Sequence, residues 1–576
     1  MTKLLIRKCR DYLPVFLSCV VPMFTGISQA ATVTPNQVLT GTNNWYRTNI
    51  YMLNGGVFVM SNAVLNIEAG TVIKGHNLGG QGTNVGALYI TRGAKIFAQG
   101  TPQNPIIFTA DIDNTDDPGD MDIWGPNARG HWGGVVLFGS AVINSAVNNS
   151  GDIANPRYEA FEGLDPDFTL NGQYVFRYGG SDDNDNSGVM RYVSIRHGGT
   201  VLAPNKELNG LSFAAVGRGT TIEFVEAYCA ADDGFEFFGG TVNTKYLVSA
   251  FNDDDSFDTD MGYSGTNQFW FAIQAPDKRN YGMELNNQVN EQPQNVQRTP
   301  ASDFKVYNMT IIGAGALDTT APNGGEDAAV TLRPWVGPKI YNAIFTDFSG
   351  RGILLDTQNG VTATQAVTGG YAQFHNTLWW DFVTGSGNGI IDNTATNLGR
   401  NTVATNYWTD LSLSNQIINP LLTSISRTNV GAFLDPRPKS GSPAYSSYAA
   451  TPNGFTSAGY QGAFGSGRSD WTSDWTALSE YSIVGGAGGF NPQPATGTIV
   501  VGPTQPILLP VRNGSNLDIL LATQVGFSYQ LQSTTNLLDV PINWVDENSP
   551  ILGTGGTVTF TVPAAVDLKY FRVRTY

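Results

Sequence analysis

The sequence predicts an all-β chain: a parallel β-helix over residues 31–484, a Gly/Pro-rich linker over 485–506 and a small antiparallel β-sandwich over 507–576. Three observations predict the helix. ADDGFEFFGG at 231–240 returns as DDDSFDTDMG at 253–262, which lays Asp232 on Asp254, Phe235 on Phe257, Glu236 on Asp258 and Gly240 on Gly262 at an offset of 22 residues. The residues before it keep the same offset, Phe224, Val225 and Ala227 falling on Tyr246, Leu247 and Ser249, so the repeating unit is a whole coil of strands and turns. Long helical periodicity is absent, and short apolar runs broken by Gly, Asn and Asp take its place, which disfavours an α/β scaffold.

Residues 1–30 read as a secretory signal. Lys3, Arg7, Lys8 and Arg10 form a basic start, Leu13 to Ile27 is apolar, and Ser28-Gln29-Ala30 offers small residues for cleavage before Ala31. A lipobox ending at Cys19 is the rival reading, but it leaves apolar Val20 to Phe24 as the mature N-terminus. Cleavage after Ala30 leaves Cys229 as the single cysteine, which excludes a disulfide framework and reads as a buried structural thiol. The leader carries four cations and Asp11, so the net charge of −16 becomes −19 in the mature chain. That sign argues against nucleic acid and anionic membranes and suits cations or neutral glycans. No apolar run after the leader reaches membrane-spanning length, and the expected location is secreted or on the cell surface.

Strand signals then follow in order. Ile67-Glu-Ala-Gly-Thr-Val-Ile and Ile90-Thr-Arg-Gly-Ala-Lys-Ile repeat an I-x-x-G-x-x-I pattern 23 residues apart, which reads as one coil. Later coils start near Trp132, Val189, Val306 and Ile340, and acidic or Gly-rich insertions at 111–129, 146–173, 178–187, 274–299 and 317–327 interrupt them. The segment DWTSDWTALSEYSIV at 470–484 reads as the plug of the solenoid's end, through Trp471 and Trp475. Beyond the linker, Phe527 to Ser533, Trp544, Thr557 to Val562 and Tyr570 to Arg574 alternate as sandwich strands do.

IEAGTVIKG at 67–75, ITRGAKIFAQGT at 90–101, RYVSIRHGG at 191–199, the 232–258 repeat and YQGAFG at 460–465 resemble secreted bacterial proteins with a right-handed, pectate-lyase-like β-helix. The resemblance implies that fold over residues 31–484 and carries over no catalytic residue. The last segment, with YQLQSTTNL at 529–537, Trp544 and YFRVR at 570–574, resembles a C-terminal β-domain of exported bacterial proteins, which implies attachment, sorting or glycan contact.

Seven sets of side chains are candidates for chemistry. Asp183, Asp185 and Ser187, before Gly188, copy the first half of a calcium loop, although Ser194 stands where a bidentate Glu belongs; a solvated turn is the alternative. The Asp111 to Asp117 run offers oxygen ligands without the turning Gly. Asp232, Asp233, Asp254 and Asp255 are a second acidic turn. Glu236 and Asp258 fall one above the other if Phe235 and Phe257 stack inside, about 4.8 Å apart, as a solvated ladder, a cation site or the carboxylate pair of a glycosidase. Among Arg191, Arg196 and Lys206, Arg196, which alternation turns outward, is the better candidate for the proton-abstracting base of a lyase, an ion pair with an acid of the next coil being its alternative. His197 is the other base, a turn histidine being its alternative. Trp379, Trp380 and Trp408 are candidate sugar platforms or core. No zinc spacing, nucleophile elbow or phosphate loop is present, and no organic cofactor is implied. The reading is a secreted or surface binding or structural protein with calcium as its ion and an extracellular glycan or envelope component as partner; a polysaccharide lyase or hydrolase is the alternative.

Overall fold

The computed structural model describes residues 30–77, 84–145, 158–203, 206–289, 293–318, 327–384, 390–465 and 470–485, and in the C-terminal part 509–513, 516–523, 528–535, 545–552, 554, 557–563 and 570–575. The expected signal, almost all of the expected linker, Phe527 and Trp544 lie outside them. Two compact units are present, Met1–Gln493 and Pro494–Tyr576.

The first unit is the parallel β-helix. Its first face stacks ten strands from Val38–Leu39 to Arg351–Leu355, all paired in parallel. Phe235 pairs with Phe257 and Glu236 with Asp258, so the 22-residue repeat is one coil. Inside, the two Phe rings stack at 5.7 Å. The other sheet is folded lengthwise into a second and a third face. In coils from Gly188–Arg196 onward the fold is a single residue with positive φ in the middle of a long strand: Tyr192, Phe224, Tyr246, Phe269, Asn308 and Asn342. Left-handed backbone costs a non-glycine residue energy, and stacking offsets it here. The four rings follow one another at 4.4, 4.2 and 4.7 Å.

The I-x-x-G-x-x-I pair is not a coil. Ile67 pairs with Ala98, whereas Ile90 lies on the first face between Val59 and Leu137. The two motifs mark the same kind of glycine turn, with Gly70 and Gly93 at φ +83° and +81°, at two different corners.

The end of the solenoid is also closed differently from expectation. Two short helices, Ala395–Gly399 and Thr402–Thr409, lay Leu398, Ala404, Tyr407 and Trp408 on the inner core, and Trp408 meets core Trp379 edge-on at 5.2 Å. After the last coil strand, Gln416–Ile417, the chain turns back and runs over the outside of the third face. The corner asparagines Asn308, Asn342 and Asn376 donate to the carbonyls of Tyr460, Ala449 and Ser447 at 2.7, 2.8 and 2.8 Å. Further along, Phe464, Trp475, Leu478 and Tyr481 cover the apolar outer side chains Tyr228, Val248, Phe271 and Ile312. Residues 470–484 therefore strap the middle of the solenoid and do not plug its end. The physical reason is on the third face itself: both sides of a strand such as Thr266–Ile273 (TNQFWFAI) are apolar, and a parallel sheet of that kind must be covered on both sides.

The second unit has two antiparallel sheets, one of Leu509–Asn513, Asn516–Ala522 and Thr557–Pro563, the other built around Ser528–Thr534 and Tyr570–Thr575. Ile519, Leu521, Tyr529, Leu531, Phe560 and Val562 form its core. No helix among the described residues is long and apolar enough to cross a membrane.

Candidate functional site

The acidic coils of the first face hold the groups of three ligating carboxylates found among the described residues. Strand alternation puts Phe235 and Phe257 in the core and turns Glu236 and Asp258 to the outer side, where they pair directly across the ladder. The column continues to Glu284 and Thr331. Glu236 and Asp258 are only 7% and 8% exposed, so the pair is buried and the solvated ladder is not what forms. Glu236 accepts from Asn209 Nδ2 at 2.6 Å, and Glu284 is held by a two-pronged contact from Arg333 at 2.9 Å. Asp258 Oδ1 has no hydrogen-bond partner and no contact with solvent. Burial first, and the neighbouring carboxylates next, hold Glu236 and Asp258 well above the usual carboxylate range.

The adjoining turn adds four more acids and a structural ladder. Asp233 N donates to Asn209 Oδ1 at 3.2 Å, Asp255 N to Asp233 Oδ1 at 2.9 Å and Tyr281 N to Asp255 Oδ1 at 2.6 Å, so each side chain caps the backbone of the next coil. Asp232, Asp233 and Asp254 bring ligating oxygens within 4.8 Å of one another, and so do Asp233, Glu236 and Asp258. Asp255 belongs to neither group. Of the acidic candidates, Asp232, Asp254, Glu236 and Asp258 thus converge around Asp233.

The calcium-like loop does not gather its carboxylates. Asp183 accepts from Val142 N at 3.2 Å and faces Arg218 at 3.6 Å. Asp185 turns inward, where Gly217 N and Ser187 Oγ each donate to it at 3.4 Å. Among the described residues, no group of three ligating His, Cys, Asp or Glu side chains includes Asp183 or Asp185. Gly188 has its own reason: at φ +112° it lies so close to the preceding coil that a Cβ would sit 1.9 Å from the Ile96 carbonyl oxygen. In the Asp111 to Asp117 run, Asp111 pairs with His76 and Asp113 accepts from Thr109.

The lyase base is overturned. Arg196 does point outward, but the strap covers it to 1% exposure, where it pairs with Glu480 and donates to Ser194 Oγ at 2.7 Å. Glu226 joins them, accepting from Ser194 Oγ and, at 2.6 Å, from Ala477 N. Arg196 therefore locks the strap and cannot reach a substrate. His197 is buried beside it, bonded to Ala128 O at 2.6 Å, and burial lowers its pKa to about 4. Cys229 is buried, its thiol pushed up to about 12 by burial. Trp379 and Trp408 are core, and Trp380 is half-buried.

A groove of about 450 Å³ lies on the outer side of the second face, away from the acids. Its floor is Lys305 and Lys339, paired across neighbouring coils, beside Tyr307 and Tyr341, stacked at 4.7 Å. Phe455 from the strap forms a wall against Tyr307.

Sequence reasoning missed Glu284, Arg333 and this groove. The spacing from Asp258 to Glu284 is 26, not 22, because the intervening turn is longer. The groove joins positions more than 100 residues apart.

The sequence model of the pectate-lyase-like β-helix domain family matches residues 38–407, from the first strand of the first face to the closing helices. The chain belongs to that family. Its match ends where the strap has yet to begin, so the strap and the second unit lie beyond the family domain. No curated protein matches the chain. One solved structure, the enzymatically active domain of bacteriophage CBA120 tailspike protein 2, is 8% identical over 92% of this chain and 68% of its own, with a TM-score of 0.17, too low to bear on fold or function.

Proposed function

We propose that this member of the pectate-lyase-like β-helix family is a secreted or cell-surface protein that binds an extracellular glycan or envelope component and uses calcium to hold its acidic coils together. The observation that carries the reading is Asp258 Oδ1, a carboxylate oxygen buried among carboxylates with no donor. An unpaired buried charge of this kind is costly, and a hard cation is the partner that satisfies several carboxylates at once. A sugar needs open access, which Glu236 and Asp258 do not offer. The second-face groove does offer it, with ammonium, phenol and amide groups along its floor and an aromatic wall.

The second reading, a retaining glycosidase, takes Glu236 and Asp258, paired across neighbouring coils, as the two carboxyl groups that such enzymes hold about 5–5.5 Å apart, and the burial of the pair counts against it. A panel of extracellular glycans, scored for both binding and release of new chain ends, separates the two. The expected result is binding without cleavage, weakened about tenfold by Tyr341→Ala, which removes the groove floor. New ends that vanish in Glu236→Gln with the fold intact would instead establish the hydrolase.

A further inference from the structure

Asp233 belongs to two groups of carboxylates at once. At the turn its oxygen lies with those of Asp232 and Asp254, and on the strand face with those of Glu236 and Asp258, each set within 4.8 Å. Three oxygens at that limit surround a point about 2.8 Å from each, a few tenths of an ångström beyond a calcium–oxygen distance of about 2.3–2.6 Å, so small side-chain rotations bring all three oxygens of either set onto one ion. The sets differ in setting. Asp232 and Asp254 are half-buried, whereas Asp233, Glu236 and Asp258 are more than nine-tenths buried.

Charge separates one ion from two. With all five carboxylates ionised, as metal ligands must be, one divalent ion leaves three negative charges to be removed by protons and two ions leave one. A single ion at the turn also leaves Asp258 Oδ1 without a partner. Beyond it in the same buried column, Thr331 Oγ1 is likewise without one. Asp233 is fixed for a shared role, because its bond from Asp255 N sets the orientation of its carboxylate from the next coil. Bridging carboxylates hold paired metal ions about 3.5–4 Å apart in other proteins.

We propose that the first face holds two calcium ions bridged by Asp233, one on Asp232 and Asp254 at the turn and one on Glu236 and Asp258 on the strand face. This rests on the calcium reading above and deepens it to a paired site. The two positions have unequal access, so the turn ion exchanges faster than the strand ion.

The test is equilibrium dialysis of the chelator-stripped full chain against radioactive calcium, counting equivalents relative to wild type. Asp233→Asn is expected to lose two, and Asp258→Asn and Asp232→Asn one each. Asp233→Asn is conservative for folding, because Asn209 occupies the same position one coil earlier and accepts the same backbone bond. Cooperative thermal unfolding of each variant checks that it is folded; if Asp233→Asn fails this check, the two other variants and their double mutant decide. Loss of a single equivalent in Asp233→Asn, or of the same single equivalent in both other variants and their double mutant, overturns the paired site and leaves one ion standing. No bound calcium in the wild type overturns both readings.

Discussion

Gly188→Ala is expected to destabilise the β-helix by more than about 4 kcal/mol, enough to leave little folded protein. Two effects add. The backbone at φ +112° is one that side chains rarely adopt, and the added carbon would sit 1.9 Å from the Ile96 oxygen and 2.8 Å from its carbon. Neither atom can retreat, because Ile96 and Gly188 are rungs of the same ladder and the Ile96 amide donates to Ser187 O at 2.9 Å. Urea unfolding of whatever soluble variant is recovered measures the loss. A midpoint equal to wild type would mean that the coils have slack at this turn. The result also bears on the calcium-like loop, whose sixth-position glycine is accounted for by coil contact alone.

Arg196→Met is expected to cost about 3–5 kcal/mol, the usual penalty for leaving a buried charge without its partner. Glu480 and Glu226 would remain in the interior between the third face and the strap, with the cation that faces them gone. The second variant is more telling. Arg196→Met with Glu480→Leu removes the pair together, and apolar replacement of a buried pair is often close to neutral; Glu226 stays behind with Ser194 Oγ and Ala477 N as its donors, so the double variant should recover part of the loss. Denaturant midpoints of the single and double variants give the coupling. If the double variant is as unstable as the single, the pair does not act through the strap.

What the sequence made legible follows from how local each feature is. Phe235, Glu236, Phe257 and Asp258 sit on coils joined by equal turns, so an offset of 22 places them correctly, and alternation assigns inside and outside. Glu284 belongs to the same column but follows a longer turn, and the fixed offset passes it by. Ile67 and Ile90 share a motif because glycine turns look alike, not because they are neighbours. Arg196 was placed outward correctly; what covers it, Glu480, comes from 284 residues away and has no local signature. Trp471 and Trp475 were legible as covering residues but not in location, since their partners Tyr192, Phe224 and Tyr246 are corner rings of the middle coils. The closing helices escaped notice because five and eight residues give too little periodicity.

The burial of Glu236 and Asp258 was the largest surprise of the site, and it changes the chemistry. Exposed carboxylates at about 4.8 Å would be screened by water. Buried ones need a proton or a cation, and the raised carboxyl pKa values express that choice.

Thermal unfolding of the β-helix at saturating calcium and again with excess chelator decides between them most directly. A ligand that binds only the folded state stabilises it by about 2.7 kcal/mol at a hundred times its dissociation constant, so the calcium midpoint should lie clearly above the chelator midpoint, and Asp258→Asn should shrink the gap. Identical midpoints for the wild type would contradict the account, leaving protons rather than calcium to neutralise the acidic coils.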